Sequence, residues 1–268
     1  MSRTKPRIQS SKSKADSIGL LTAGLVIVFR STRYVLVEDE ADVEFYGAVR
    51  DILSDYGPSK DSKALAPSPS LVFLPASLGA GKNKIGGGKG AVMQWVNKFD
   101  AAPLDQVFRG IIDKDTTNVS TKRVHIVGRY NIENYLLDPF VIFGILLEEE
   151  TAPAIQTVSI SQGDEHLIRA MSEPELQSIV TAIQLQVEPQ LLGLTTVEKE
   201  SLTVSFTNGK SVQYPAWMID RNGHDLLPIY QNIFGGAKVI SPPRLEKSFR
   251  RIRLMPVELA EIMQKLQD

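Results

Sequence analysis

Cysteine is absent from the 268 residues, which excludes disulfides, thiolate metal sites and a cysteine nucleophile, and agrees with a reducing cytoplasm. Net charge is nearly absent too. At −1 the chain has no global field for nucleic acid, so any affinity must come from local basic patches. No apolar run reaches the about 20 residues that a bilayer span needs. The most hydrophobic segment, 18–29, follows a basic start and mimics a signal peptide. Because Arg30 and Arg33 then lead straight into a strand, a packed element and a cytoplasmic protein without membrane contact are expected.

A Walker phosphate loop is also missing. The run 79–90, Gly-Ala-Gly-Lys-Asn-Lys-Ile-Gly-Gly-Gly-Lys-Gly, is rich in glycine, but its spacing fails and no Ser or Thr follows Lys82 or Lys89. ATP hydrolysis by this loop is not expected. Two readings stay open: a flexible loop, or contacts from Lys82, Lys84 and Lys89 to a phosphate backbone ahead of a helix over 91–99. Apolar residues at 43% and charged ones at 23% are ordinary for a globular chain able to bury a substantial core.

What the chain does carry is an abrupt patch of acid. Residues 33–42 read Arg-Tyr-Val-Leu-Val-Glu-Asp-Glu-Ala-Asp, four acids in the five positions from Glu38 to Asp42. The aliphatic, β-branched stretch 34–37 suits a central parallel strand. Residues 39–53 read as a helix with Val43, Tyr46, Ala48, Val49, Ile52 and Leu53 on its apolar side. In an open α/β sheet the ligand site lies outside the carboxyl ends of the strands, where Glu38 falls. Residues 107–115 read as another short strand, ending in Asp113-Lys114-Asp115. In a strand, residues i and i+2 point to one side, so the two carboxylates can face one ion. With Glu38 they would suit a hard divalent cation such as Mg²⁺, which prefers a few carboxylates plus waters and phosphate oxygens.

Residues 71–75 form a second strand candidate and 123–127 a further one, in which His125 alternates with apolar residues and reads as buried or edge-facing. Segment 130–137 has helical spacing, with Ile132, Tyr135 and Leu136 inward and Glu133 toward the strand ends. Strand–helix alternation up to 137 predicts parallel pairing through crossovers.

Taken in order, Glu38 at one strand end, Asp113-x-Asp115 at another, and then Arg129-Tyr-Asn-Ile-Glu-Asn-Tyr-Leu-Leu-Asp138 resemble the Toprim domain of overcoming-lysogenization-defect nucleases. More narrowly, the chain resembles the stand-alone DUF4435 Toprim proteins, a family that includes the effector of the two-gene anti-phage PARIS system. The likeness covers about residues 30–140, with an echo in 214–227. It implies an α/β fold: a Toprim-like parallel sheet flanked by helices over 18–140 and an α+β C-terminal extension over 141–268; the Ser-, Lys- and Arg-rich start, 1–17, reads on its composition as a disordered basic arm.

For function, the resemblance implies an Mg²⁺- or Mn²⁺-dependent nuclease with Glu38, Asp113, Asp115 and Glu133 as catalytic carboxylates. Glu38, Asp42, Asp113 and Asp115 surround the metal, and Glu38 either completes the ligand set or acts as general base. One ion or two are both open. A cation is also implied, with Lys114 or His224 as candidates, His224 being otherwise a surface residue that opens a helix. The implied partners are nucleic acid (RNA, tRNA in particular, or DNA), a separate ABC-type ATPase subunit and a second copy of the chain. Topoisomerase chemistry would need a nucleophilic tyrosine on a further large domain, and primases usually carry zinc-binding cysteines. The competing class is a nucleic-acid- or partner-binding module whose acids hold a structural Mg²⁺.

Beyond 139 the sequence predicts an apolar helix over 139–150, two helices within 165–192, and a hairpin over 201–215 around a type I′ Asn208-Gly209 turn. Helices over 224–234 and 256–266 follow. Between them lies a basic run of Arg244, Lys247, Arg250, Arg251 and Arg253, either a solvated face or a set of phosphate contacts.

Overall fold

The computed structural model of the protein describes residues 31–55, 63–78, 85–101, 104–115 and 118–268. The expected basic arm, the apolar run 18–29, Lys82 and Lys84 lie outside the described residues.

Thr32–Val37 forms strand β1. Its alternation serves two cores at once: Val35 and Val37 join the main cluster on one face, while Leu36 faces a second cluster on the other. Helices on both faces bury such a strand throughout, which is why it carries no polar alternation. Helix α1, Glu40–Asp55, follows at once. Asp39 caps it, its Oδ1 accepting from the N–H of Ala41 at 3.0 Å and of Asp42 at 3.4 Å, while Asp42 Oδ2 accepts from the Asp39 N–H at 3.0 Å. This reciprocal arrangement satisfies amides that a helix start otherwise leaves open.

Strand β2, Ser70–Pro75, returns parallel to β1, and β3 (Ser77–Leu78) and β4 (Ile85–Gly86) pair as a small antiparallel ribbon. Helix α2, Gly88–Lys98, then crosses the face opposite α1, with Val92 and Val96 against Leu36, Ile112 and Val124. It lies close on the sheet because β5, Phe108–Ile112, has a glycine beneath it: a Cβ at Gly110 would stand 2.8 Å from Val92 Cγ1. Strand β6, Val124–Ile126, completes an all-parallel sheet of order β2-β1-β5-β6. The chain leaves β1 for β2 on one flank and re-enters as β5 on the other, so the order reverses between β1 and β5. That reversal opens a crevice at their carboxyl ends.

A single turn, α3 (Glu133–Leu136), leads into α4 (Pro139–Glu148), whose residues 139–147 are all buried. An all-round apolar helix belongs at the centre of a core, and α5 (Glu173–Val187) packs beside it. Strands β7 (Ser201–Ser205) and β8 (Ser211–Pro215) form the hairpin. They are followed by α6 (Trp217–Asp220), α7 (Gly223–Ile233), α8 (Pro242–Ile252) and α9 (Val257–Gln267). The last helix returns to α1, β1 and β2, so the main core runs without a break from Val35 to Leu266.

Two local expectations change, and the basic run gains partners. Of the two helices expected within 165–192, only α5 is an α-helix; Glu165–Ala170 is a 3-10 helix. The hairpin turn has positive φ at Gly209 alone, whereas type I′ needs it at both central residues, so it is the wider loop 206–210. The basic run is internally neutralised: Arg244 and Lys247 pair with Glu148, Arg250 with Glu246, Arg251 with Glu165 and Arg253 with Asp55.

One buried ionic knot joins the two halves of the chain. Arg129, its side chain 1% exposed, donates Nη1 to Asp138 Oδ2 at 2.8 Å and to the Asn134 carbonyl at 2.9 Å. Its guanidinium lies over the Tyr135 and Tyr214 rings, and the Tyr214 hydroxyl donates to Asp138. Burial acts to lower the Arg129 pKa, but Asp138 and Glu258 outweigh it and hold the group charged. Among the described residues, no helix is long and apolar enough to cross a membrane.

Candidate functional site

The crevice between β1 and β5 is where the acids gather. Glu38 leaves the end of β1 and turns its Oε1 to the Asp113 N–H at the end of β5, 3.2 Å away. Its other flank is the start of α2. Gly87 and Gly88 have φ of 98° and 68°, a left-handed entry that side chains resist. That entry brings the Lys89 amide to Glu38, and a Cβ at Gly88 would stand 3.7 Å from Glu38 Oε2. The glycine run thus aims a helix N-terminus at a carboxylate.

Asp42 is 8% exposed and faces the same crevice from the first turn of α1. Asp113 is held by Asn118, whose Nδ2 donates to its carbonyl at 2.7 Å. Glu133, in α3, completes the set, with His224 Nδ1 3.4 Å from its Oε1. Burial pushes the Asp42 carboxyl up to about 7, reinforced by the charges of Asp39, Glu38 and Glu133. Burial raises Asp113 to about 8, followed by Asp42, Glu38 and Glu133. Glu38 is raised by burial against the hydrogen bond from the Asp113 amide, and Glu133 by burial against the pull of His224. At neutral pH this cluster therefore retains at least part of a proton, the usual consequence of crowding buried like charges.

Strand β5 ends at Ile112, and Asp115 has φ of 38°, so the i, i+2 geometry of a strand does not extend to Asp113 and Asp115. Asp115 Oδ2 pairs instead with Lys89 Nζ at 3.0 Å, and that ammonium also reaches Asn118 Oδ1 at 3.1 Å. Among the described residues, Lys89 is the lysine that pairs with an acid of the cluster. Lys114, a candidate for that role, points away to Asp220 Oδ1 at 2.7 Å, because the Lys114 N–H bonds the Tyr130 carbonyl and turns the residue toward α6.

The site depends on the C-terminal half. A Cβ on Gly223 would fall 2.5 Å from both Asn131 Oδ1 and Glu133 Cβ, so α7 begins directly against the Glu133 turn. Asn134 Nδ2 donates to the Met218 and Arg221 carbonyls and pins that turn to α6. Asn118 and Gly88 were not among the residues singled out from sequence. A Gly-Gly-Gly run just before a helix is a signal for a left-handed helix entry; a lone Asn in a polar loop carries none.

The donor set is all oxygen, and its mutual repulsion is what a hard divalent cation relieves, so its chemistry fits Mg²⁺ or Mn²⁺. In the side-chain positions described, no three His, Asp or Glu groups converge as a ligand set among the described residues. Comparisons with protein families, with curated proteins and with solved structures returned no match.

Proposed function

We propose that the chain is a metal-dependent Toprim-type nuclease that cleaves phosphodiester bonds in nucleic acid at the Glu38–Asp113 crevice. The observation that carries this reading is that Glu38 and Asp113 meet at the carboxyl ends of adjacent parallel strands where strand order reverses. Mg²⁺ or Mn²⁺ held by Asp42 and Asp113 would polarise the scissile phosphate and stabilise its developing charge. Glu38, with its raised pKa, would either complete that ligand set or accept the proton of the attacking water. Lys89 and the amide end of α2 orient the substrate phosphate, and Asp115 holds the Lys89 side chain in place until substrate arrives. His224 restrains Glu133.

The proposal includes the biology implied by the resemblance: a toxic anti-phage effector acting on tRNA, held in check by a separate ABC-type ATPase subunit. The test is incubation of wild type and Glu38→Gln, matched for folding, with tRNA and plasmid DNA in Mg²⁺, Mn²⁺ or EDTA. Metal-dependent cleavage by wild type alone supports the reading, and the substrate cut separates RNA from DNA.

A second reading has its own support. Asp42 has a structural use in accepting the Asp39 amide at the start of α1, and Asp115 as the partner of Lys89. A binding module without cleavage predicts nucleic-acid retention that Glu38→Gln leaves unchanged, with no product under any metal.

A further inference from the structure

Several arginines elsewhere among the described residues are matched with carboxylates: Arg129 with Asp138, Arg221 with Glu198, and those of α8 with Glu148, Glu246 and Glu165. Arg33, Arg109 and Arg123 are different. Val35 stands opposite Arg109 and Gly110 opposite Val124, so Arg109 is also in register with Arg123. With the two-residue period of a strand, Arg33, Arg109 and His125 share one face across β1, β5 and β6, and Arg123, just ahead of β6, adjoins β5 through its carbonyl, which accepts the Gly110 N–H at 2.8 Å.

Their bonds fix them without neutralising them. Arg109, 8% exposed, donates Nη1 to the Asp105 and Phe108 carbonyls at 2.8 and 3.3 Å, and Arg123 donates Nη1 to the Phe99 carbonyl at 2.7 Å. Arg33 Nε and His125 Nε2 are buried without a hydrogen-bond partner. Burial and then the like charges of Arg33 and Arg123 lower the Arg109 pKa, while Lys265 adds positive charge beside His125. Asp105 and Asp268 act in the opposite direction on Arg109, yet among the described residues no carboxylate forms an ion pair with any of the three arginines. Clustered guanidinium groups without a carboxylate ion pair, one of them buried, suit an anion, and guanidinium forks match the oxygens of phosphate.

We propose that Arg33, Arg109 and Arg123, with His125 beside them, form an oxyanion site that takes a phosphate group. It lies toward the amino ends of the strands. Arg109 precedes Asp113 by four residues, about 13 Å at about 3.3 Å per residue, so this site is separate from the acidic crevice and does not depend on the nuclease reading. Free phosphate and a nucleic-acid backbone present the same chemistry to it.

The experiment uses the full chain without divalent metal. Its melting temperature is followed against sodium phosphate and against sodium chloride at equal ionic strength, for wild type, Arg33→Gln and Arg123→Gln. Both variant positions are partly exposed and spare the buried Arg109. A saturable rise with phosphate alone, with the apparent Kd weakened about tenfold in each variant, is expected for the loss of one charge-assisted fork. Phosphorus NMR line broadening of phosphate by wild type gives the same answer if a variant fails to fold. Equal effects of chloride and phosphate, no broadening, or variants that bind like wild type would overturn the proposal. A single-stranded oligonucleotide without terminal phosphates then separates the sources: displacement of bound phosphate assigns the site to a nucleic-acid backbone, and no displacement assigns it to a small free anion.

Discussion

Glu38 Oε1 accepts the Asp113 N–H at 3.2 Å, a bond between residues 75 positions apart that locks the ends of two neighbouring strands together. It makes Glu38 both a structural clasp and the most central carboxylate of the crevice. Glu38→Gln keeps an acceptor for that amide but removes the charge. Metal-dependent cleavage is therefore expected to fall by about a hundredfold or more, with the midpoint of urea unfolding unchanged or slightly raised. A variant that cleaves like wild type would remove Glu38 from the reaction.

The acids also set how stability depends on pH. Asp42 and Asp113 titrate at about 7 and about 8 in the folded chain, against about 3.9 for an unfolded aspartate. Folding thus favours their protonated forms, and the stability they contribute is fully present at low pH and lost as pH rises through the folded values. In EDTA, stability should decline from about pH 4, the unfolded value, to about pH 8 and level off above it, by at most about 1.4 kcal/mol per pH unit for each of the two groups. Asp113→Asn should flatten the decline in urea titrations at several pH values.

Metal addition should reverse that loss. Because protons and a divalent cation compete for the same oxygens, Mg²⁺ or Mn²⁺ is expected to raise the melting temperature more at pH 8 than at pH 6. Differential scanning calorimetry reads this directly, and an equal effect at both pH values would place the ion elsewhere.

Lys89 joins Asp115 through a partly exposed ion pair, and such pairs contribute under about 1 kcal/mol to stability. Lys89→Met should leave the melting temperature nearly unchanged while raising KM for nucleic acid about tenfold or more. An unaltered KM would make Lys89 a surface tie and nothing else.

Two further substitutions test the dependence of the crevice on the C-terminal half. Asp138→Ala strands the buried Arg129 and should cost about 3–5 kcal/mol in urea unfolding. Gly223→Ala forces a methyl group against Glu133. It is expected to destabilise by about 1–3 kcal/mol and to reduce cleavage beyond what unfolding explains, as judged by activity per folded molecule.

Much of the fold was legible from local pattern. The apolar stretch of β1, the amphipathic face of α1, and the acids at the two strand ends depend on residues within a turn of one another. The helix read over 91–99 begins three residues earlier, at Gly88, because consecutive glycines with positive φ start it. Lys114 was a candidate cation by adjacency to Asp113 and Asp115, yet adjacency in the chain does not decide where a side chain points once the strand has ended at Ile112.

By itself the sequence determined the strand–helix alternation and which carboxylates stand where strands stop, since periodicity and capping act between near neighbours. Only the tertiary structure decided that β5 lies beside β1, that Lys89 rather than Lys114 meets Asp115, and that the basic run of α8 is spent on internal ion pairs. It also decided that Asp42 and Asp113 are buried among other acids, which raises the pKa of both. Those outcomes depend on strand order, burial and charge partners far apart in the chain, none of which local spacing encodes.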